Sequence, residues 1–294
     1  MSTVAATSTP RAPCESIPLR IGCVSYFNTL PMIEGLEKLR HVTLEPAAPS
    51  HLIGMLEAGD IDVALAPVID SQRASCELTL LPCGMIGSDG STMTVRLFSA
   101  VALDTISTIH ADTDSHTSVA LARLLMRQLH AIDPEIVPFD ARERVAMGSE
   151  NTRDDSFPDT LLMIGDKVVT DSPPAVRYTH QLDLGDAWKQ WTGLPFVYAA
   201  WMCRASDEDS PAIRSAVSLL DRQRRLNATR LEWIVARRAG ERRWPRDLAH
   251  TYLRGTMLYE PDARSRESIE RFLDETHEAG ILERRSPTRW LDGM

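Results

Sequence analysis

The sequence predicts an α/β protein made of two lobes with a cleft between them. Apolar runs typical of buried strands alternate with helical patterns in residues 19–66 and again in residues 107–164. Two extended segments, residues 95–99 and 196–202, join these regions. Because the chain crosses twice, we expect a hinge, and the cleft beside a hinge is a natural ligand site.

The first lobe begins with an apolar strand at residues 19–24 and a polar turn, SYFNTLP, at residues 25–31. The turn opens a helix; Asn28 or Thr29 is its expected cap, and Pro31 fits its first turn. The next expected elements are a strand at residues 41–45, a helix at 51–58 and a strand at 61–66. This order predicts right-handed crossovers and a mostly parallel sheet.

The second lobe repeats the alternation of strands and helices. The expected elements are strands at residues 92–99, 107–111 and 160–164, with a helix at residues 116–130. Residues 151–158 are polar and are expected to form a mobile loop, while residues 78–90 contain Gly and Pro and show little periodicity. Helical patterns at residues 211–238 and 265–282 complete the chain.

These patterns give a predicted division of the chain. Residues 1–18 are rich in Ser, Thr, Ala and Pro, which predicts a disordered tail. Residues 19–97 form the first part of lobe 1, and residues 98–200 form lobe 2. Residues 201–294 return to lobe 1 and add the C-terminal helices.

Charge and cysteine usage limit the function classes. The net charge of −9 argues against a nucleic-acid partner, because no excess of Lys and Arg is present to neutralise phosphates. The five cysteines have neither zinc-ligand nor CxxC spacing, which favours a reducing compartment. The tail has no apolar core of a secretory signal, and no run approaches a membrane span, so we expect a cytoplasmic protein without a membrane partner.

Three polar segments would face one cleft in a two-lobed protein. They are the turn containing Asn28, the strand around Thr94, and the helix start at residues 115–118 (SHTS). Free N–H groups and hydroxyls at a helix start favour a carboxylate or phosphate. Simple capping by Ser115 or Asp114 also explains the last segment, and sequence statistics alone favour it somewhat over an anion site. The sequence contains no GxSxG, phosphate-loop or dinucleotide-binding pattern.

Several stretches together resemble the chorismate dehydratases of the futalosine route to menaquinone. They are RIGCVSYFNTLP (residues 20–31), GDIDVALAPV (59–68), IGSDG (86–90), TSVAL (117–121), IGD (164–166), LGDAWK (184–189) and WTGLPFV (191–197). The resemblance covers nearly everything after the tail. It implies the two-lobed fold of type 2 periplasmic binding proteins, a cytosolic protein that is a monomer or homodimer, and conversion of chorismate to 3-[(1-carboxyvinyl)oxy]benzoate and water without a metal or organic cofactor.

The resemblance also implies site residues. Asn28 and Thr94 correspond to the functional pair of the family, although Thr94 replaces the usual Ser. Ser91 replaces a Pro, and His116 replaces an Arg. The side chains expected to bind the substrate carboxylates are Ser50, Ser115, His116, Thr117 and Ser118.

Three alternatives stay open at this point. A solute-binding protein shares the fold, and the absence of an export signal in the sequence disfavours it. The sibling enzyme 1,4-dihydroxy-6-naphthoate synthase has a similar fold, but residues 188–195 fit the dehydratases better. A non-catalytic relative that binds an aromatic acid is the third, and it is kept open by Ser91, Thr94 and His116.

Overall fold

Two β-sheets form the framework of the molecule. The computed structural model describes residues 18–112, 115–139 and 157–291. The first seven strands are β1 (Leu19–Cys23), β2 (Val42–Pro46), β3 (Val63–Pro67), β4 (Leu78–Ser88), β5 (Val95–Ser99), β6 (Thr108–Asp112) and β7 (Glu135–Phe139). The other five are β8 (Thr160–Ile164), β9 (His180–Asp183), β10 (Phe196–Arg204), β11 (Met257–Leu258) and β12 (Arg289–Trp290).

The first sheet is built around a parallel core. Its strand order is β11-β4-β10-β3-β1-β2, and β12 also pairs with β4. Strand β1 runs parallel to both β2 and β3, as the alternation of strands and helices predicts. Strand β10 is antiparallel to β3 and β4. The sheet is therefore more mixed than expected, because β10 enters it from the other lobe at the carboxyl end of β3.

The second sheet has the same plan. Its order is β7-β6-β8-β5-β9, with β6 parallel to β7 and β8. Strand β5 is antiparallel to β8 and β9. In each sheet, the strand that comes from the other lobe (β10 in the first, β5 in the second) is antiparallel to its neighbours. The carboxyl ends of β3 and β8 therefore lie next to the two crossings.

The sheet pairing places both crossings earlier than the predicted lobe boundaries. Strand β5 pairs wholly within the second sheet, so the chain leaves lobe 1 after Ser88 and not after residue 97. Strand β10 pairs wholly within the first sheet, so the return begins before Phe196 and not after residue 200. The segments at residues 95–99 and 196–202 are extended, as expected. Each is a strand within one sheet and not a free connection, because pairing satisfies its buried backbone N–H and C=O groups.

The helices cover the faces and ends of the sheets. They are α1 (Leu30–Ile33), α2 (Pro49–Ala58), α3 (Asp70–Arg73), α4 (His116–His130), α5 (Lys167–Thr170), α6 (Leu184–Thr192), α7 (Pro211–Thr229), α8 (Leu231–Arg238), α9 (Arg246–Thr251) and α10 (Ala263–Glu278). A π-helical turn, Tyr252–Thr256, follows α9 directly. The expected first helix is only four residues long, because Gly35 adopts a left-handed φ of 95° shortly after its end.

The core contains large aromatic side chains from both regions of the chain. Trp188 of α6 and Trp201 of β10 are fully buried. Trp188 packs edge-on against Phe196 and Phe272, which ties α6 of lobe 2 to strand β10 and helix α10. The two lobes therefore share apolar contacts around the second crossing.

Some predictions fall outside the described residues. These are the disordered tail over residues 1–17, most of the polar loop at residues 151–158, and capping by Asp114. Among the helices that are described, none combines the length and apolar character needed to cross a bilayer.

Candidate active site between the lobes

A cavity lies where the carboxyl ends of β1, β3 and β8 meet the chain that enters β5. Its empty volume, including the open mouth, is about 530 Å³. The polar side chains that line it are Tyr26, Asn28, Thr92, Thr94, Ser115, Ser118 and Tyr198. None of its described lining side chains carries a formal charge, so neutral hydrogen-bond donors would hold an anion there.

Asn28 reaches the cavity from a 3-10 turn, Phe27–Thr29, directly after β1. The Thr29 hydroxyl donates to the Tyr26 carbonyl at 2.7 Å and tightens this turn. The Phe27 N–H donates to the carboxylate of Asp166, which belongs to the second lobe, at 3.1 Å. Within the described chain, Asn28 Oδ1 is buried and has no hydrogen-bond partner. An unpaired buried acceptor is costly, so this oxygen is suited to a donor on a ligand.

Thr94 stands at the entrance to β5 and is 1% exposed. Its hydroxyl is 2.7 Å from the hydroxyl of Tyr252, which lies at the start of the π-helical turn. Burial is the main cause that raises the pKa of Tyr252, and hydrogen bonds from Thr94 and Asn28 oppose that rise. The phenol stays neutral at physiological pH, and its hydroxyl contacts Thr94.

A second hydroxyl pair lies two residues earlier in the chain. Thr92 Oγ1 is 2.6 Å from the hydroxyl of Tyr198 and 3.1 Å from Ser88 Oγ. Burial is also the main cause that raises the pKa of Tyr198 well above its ordinary value. Both tyrosines are therefore neutral hydrogen-bond donors beside a threonine hydroxyl.

The loop that carries both threonines is held by one carboxylate. Asp183 accepts hydrogen bonds at 2.8 Å from the N–H groups of Thr92 and Met93, and at 2.9 Å from the Ser91 hydroxyl. It also caps α6 through Gly185 N–H at 3.1 Å. Met93 has a φ of 65°, which is strained for a side chain of this size, and these bonds stabilise that conformation.

Ser115 and Ser118 line the cavity at the amino terminus of α4. Ser115 Oγ accepts from the Ser118 N–H at 3.3 Å and from the Ser118 hydroxyl at 3.1 Å. Ser115 therefore does cap the helix. Helix α4 has 15 residues, and its first N–H groups and dipole favour a negative group at this end.

A family model described as menaquinone biosynthesis matches residues 19–278, nearly all of the described chain. The chain belongs to this family. A curated relative, the chorismate dehydratase of Thermus thermophilus, is 29% identical over 240 residues, which cover 76% of this chain and 83% of the relative. Both comparisons agree with the resemblance that the sequence motifs indicate.

Solved structures place this menaquinone biosynthesis family member in the periplasmic-binding-protein fold. A protein from Archaeoglobus fulgidus matches with a TM-score of 0.67 and 14% identity, over 91% of this chain and 100% of that one. The aliphatic sulphonate binding protein of Escherichia coli matches with a TM-score of 0.58 and 17% identity, over 95% and 94%. A Candida albicans protein described as having the generic periplasmic binding protein fold gives a TM-score of 0.61 and 10% identity, over 92% of each chain. These likenesses confirm the predicted fold.

Three of the predicted binding residues do not line the cavity of this family member. His116 Nδ1 is 2.8 Å from Asp70 Oδ1, and Thr117 Oγ1 accepts from the Ile69 N–H at 3.3 Å. Both contacts join α4 of lobe 2 to the start of α3 in lobe 1. Ser50 lies in the first turn of α2, next to Pro49, which does line the cavity.

Sequence reasoning missed the two tyrosines and the carboxylate of Asp183. Tyr198 and Tyr252 lie 106 and 158 residues away from the threonines that they contact. No local pattern marks such long-range pairs. Asp183 directly precedes the LGDAWK stretch, and an Asp one residue before a helix is a recognisable N-cap signal.

Proposed function

We propose that this chain is a chorismate dehydratase of the futalosine route, which converts chorismate to 3-[(1-carboxyvinyl)oxy]benzoate and water. The observation that carries the proposal is the cavity between the lobes, in which uncharged hydroxyl and amide groups converge beside the amino terminus of α4. The family membership and the relative of that name support it. Four cysteines that are free in the described chain are typical of a cytoplasmic enzyme.

The reaction needs hydrogen-bond donors at a place where negative charge develops. Loss of the C3 proton sends an electron pair through the ring diene towards the ring carboxylate. The C4–O bond then breaks, and the ring becomes aromatic. Donors held against that carboxylate stabilise the transition state, and each such donor is worth roughly 10²–10³-fold in analogous oxyanion sites.

The proposed roles follow from the positions of the side chains. Ser115, Ser118 and the N–H groups of α4 hold the ring carboxylate. Thr94 donates to the reacting region, and Asn28 Oδ1 accepts from the 4-hydroxyl group, which fixes the direction of the C4–O bond. His116 and Thr117 stabilise the contact between the closed lobes, and Ser50 lies next to Pro49 of the cavity wall.

The proton acceptor that fits this cavity belongs to the substrate. The titratable side chains in the described lining are tyrosines, and burial keeps Tyr198 protonated. The enolpyruvyl carboxylate of chorismate can take the C3 proton and pass it to the departing C4 oxygen, which leaves as water. Closure of the lobes would fix this geometry and exclude solvent.

The test is incubation of the purified protein with chorismate. Ultraviolet absorbance should report the new aromatic ring, and mass spectrometry should find a product lighter by one water. Binding of chorismate without conversion would overturn the enzymatic proposal and favour a binding protein. Conversion to any other product would contradict the assigned substrate chemistry.

A further inference from the structure

Tyr252 lies at an unusual point of the backbone, next to the candidate site. It begins the π-helical turn Tyr252–Thr256, directly after α9. Such turns are rare and frequently occur at functional sites. The Tyr252 ring stacks on Trp244, with ring centroids 4.8 Å apart, and Trp244 stacks on Phe27 at 5.0 Å. This stack fixes the phenol ring beside the turn that carries Asn28.

The Tyr252 hydroxyl contacts a side chain of the site directly. It is 2.7 Å from Thr94 Oγ1, and either oxygen can be the donor. Both residues are buried, each with 1% of its surface exposed. When the phenol donates, the Thr94 proton is free to point into the cavity that Thr94 lines.

We propose that Tyr252 is a positioning residue that orients the Thr94 hydroxyl for the reaction; this inference rests on the proposed function. When the phenol donates to Thr94, that bond polarises the Thr94 hydroxyl and strengthens it as a donor to the substrate. The aromatic stack on Trp244 and Phe27 keeps the phenol beside the turn that carries Asn28.

Tyr252→Phe tests this role because it removes one oxygen and keeps the stacked ring. Thr94 then loses the partner that orients its proton, while the apolar packing stays. We expect kcat to fall about 10-fold to 100-fold, the range for a buried polar group that loses its partner. We expect KM to change less than threefold, since the other contacts to the substrate remain.

Tyr259→Phe is the matched control. The Tyr259 hydroxyl is buried, lies near Tyr252 and has no hydrogen-bond partner among the described residues. Its removal should leave kcat and KM unchanged. An equal loss of activity in both variants would show that the region tolerates no change of packing and would overturn the positioning role.

A double-mutant cycle separates positioning from general support of the fold. If Tyr252 acts through Thr94, Tyr252→Phe should have little further effect on kcat in a Thr94→Val background. Effects that multiply independently would overturn the inference. Full activity of Tyr252→Phe would overturn it too, while turnover by the unmodified protein would leave the proposed function standing. Absence of turnover in the unmodified protein overturns both.

Discussion

Asn28 has a side-chain oxygen whose burial costs stability but suits it to contact a substrate. Its Oδ1 is buried without a hydrogen-bond partner in the described chain. A residue selected only for capping would point its oxygen at a backbone N–H of the helix. Instead, no side-chain cap bond is present at this helix start, and Asn28 lines the cavity.

Asn28→Ala should therefore separate activity from stability. We expect kcat to fall at least about 100-fold, as for a lost transition-state contact. We expect the free energy of unfolding to change by less than about 1 kcal/mol, because the variant also removes an unsatisfied acceptor. Steady-state kinetics and urea unfolding measure the two quantities. Ser25→Ala, at an exposed position of the same turn, is the control, and full activity of Asn28→Ala would show that its role is structural.

The buried cysteine thiols should make the stability of the folded protein fall as the pH becomes alkaline. Burial raises the pKa of the Cys23 thiol from 9.0 to about 11. Between these values the unfolded chain loses the proton and the folded chain keeps it, so stability falls as pH rises above about 9. For Cys23 alone the loss should reach about 2 kcal/mol near pH 10.5.

Urea unfolding from about pH 8 to pH 10.5 in the presence of a reductant measures this dependence. The Cys23→Ala variant removes the titrating group, so its stability should fall less steeply than that of the unmodified protein. Parallel curves for the two proteins would show that Cys23 does not titrate with the fold.

At the scale of elements, the junction of β9 and α6 organises the site from outside the cavity. Asp183 ends β9, caps α6 and holds the N–H groups of Thr92 and Met93. Gly185 packs so tightly against this loop that an added Cβ would lie 2.5 Å from the carbonyl oxygen of Gly90. The junction therefore fixes the path of the first crossing between the lobes, on which Thr94 lies.

Asp183→Ala should destabilise the protein and impair the site together. Loss of a charged acceptor with several N–H partners should lower the free energy of unfolding by about 3 kcal/mol, measured in urea. Turnover should fall as well, because Thr94 loses its fixed position. Asp186→Ala is the control, since Asp186 lies in the same helical turn and its carboxylate accepts a hydrogen bond from the side chain of Gln190. Similar losses in both variants would contradict the special role of Asp183.

The sequence predicted best the elements whose signals are local. Helix α4 and strand β8 begin and end where expected, because a Ser cap and strong apolar periodicity mark them. Strand β4 was not predicted from its Gly- and Pro-containing sequence, although it has 11 residues. It is buried along most of its length, so its residues show no alternation between core and solvent.

The same distinction explains which residues of the site were found. Asn28 follows the end of β1, Thr94 directly precedes β5, and Ser115 and Ser118 lie at the start of α4; all four line the cavity. Tyr252 is placed beside the site by the packing of Trp244 between its own ring and Phe27. Packing of that kind depends on residues distant in sequence, which local patterns cannot reveal.

At the scale of the whole molecule, contacts between the lobes surround the site. Thr117 and His116 bind the start of α3, and Asp166 accepts from the Phe27 N–H. Burial raises the pKa of Asp166, while that N–H and the Arg242 guanidinium oppose the rise. In a fold that closes by hinge motion, such contacts couple closure to the position of the Asn28 turn.

Gly165 offers a test of this coupling, because it is the point of lobe 2 against which the Tyr26 ring of lobe 1 rests. A Cβ added there would lie 2.9 Å from Tyr26 Cε1, so Gly165→Ala should push Tyr26 aside and raise KM roughly 10-fold. Gly193→Ala is matched, since both glycines have a left-handed φ, 78° and 75°, but a Cβ added at Gly193 would have no contact within 4 Å. Each variant should lose about 1 kcal/mol in urea unfolding. If KM rises equally in both, backbone strain explains the effect, and contact between the lobes does not control substrate binding.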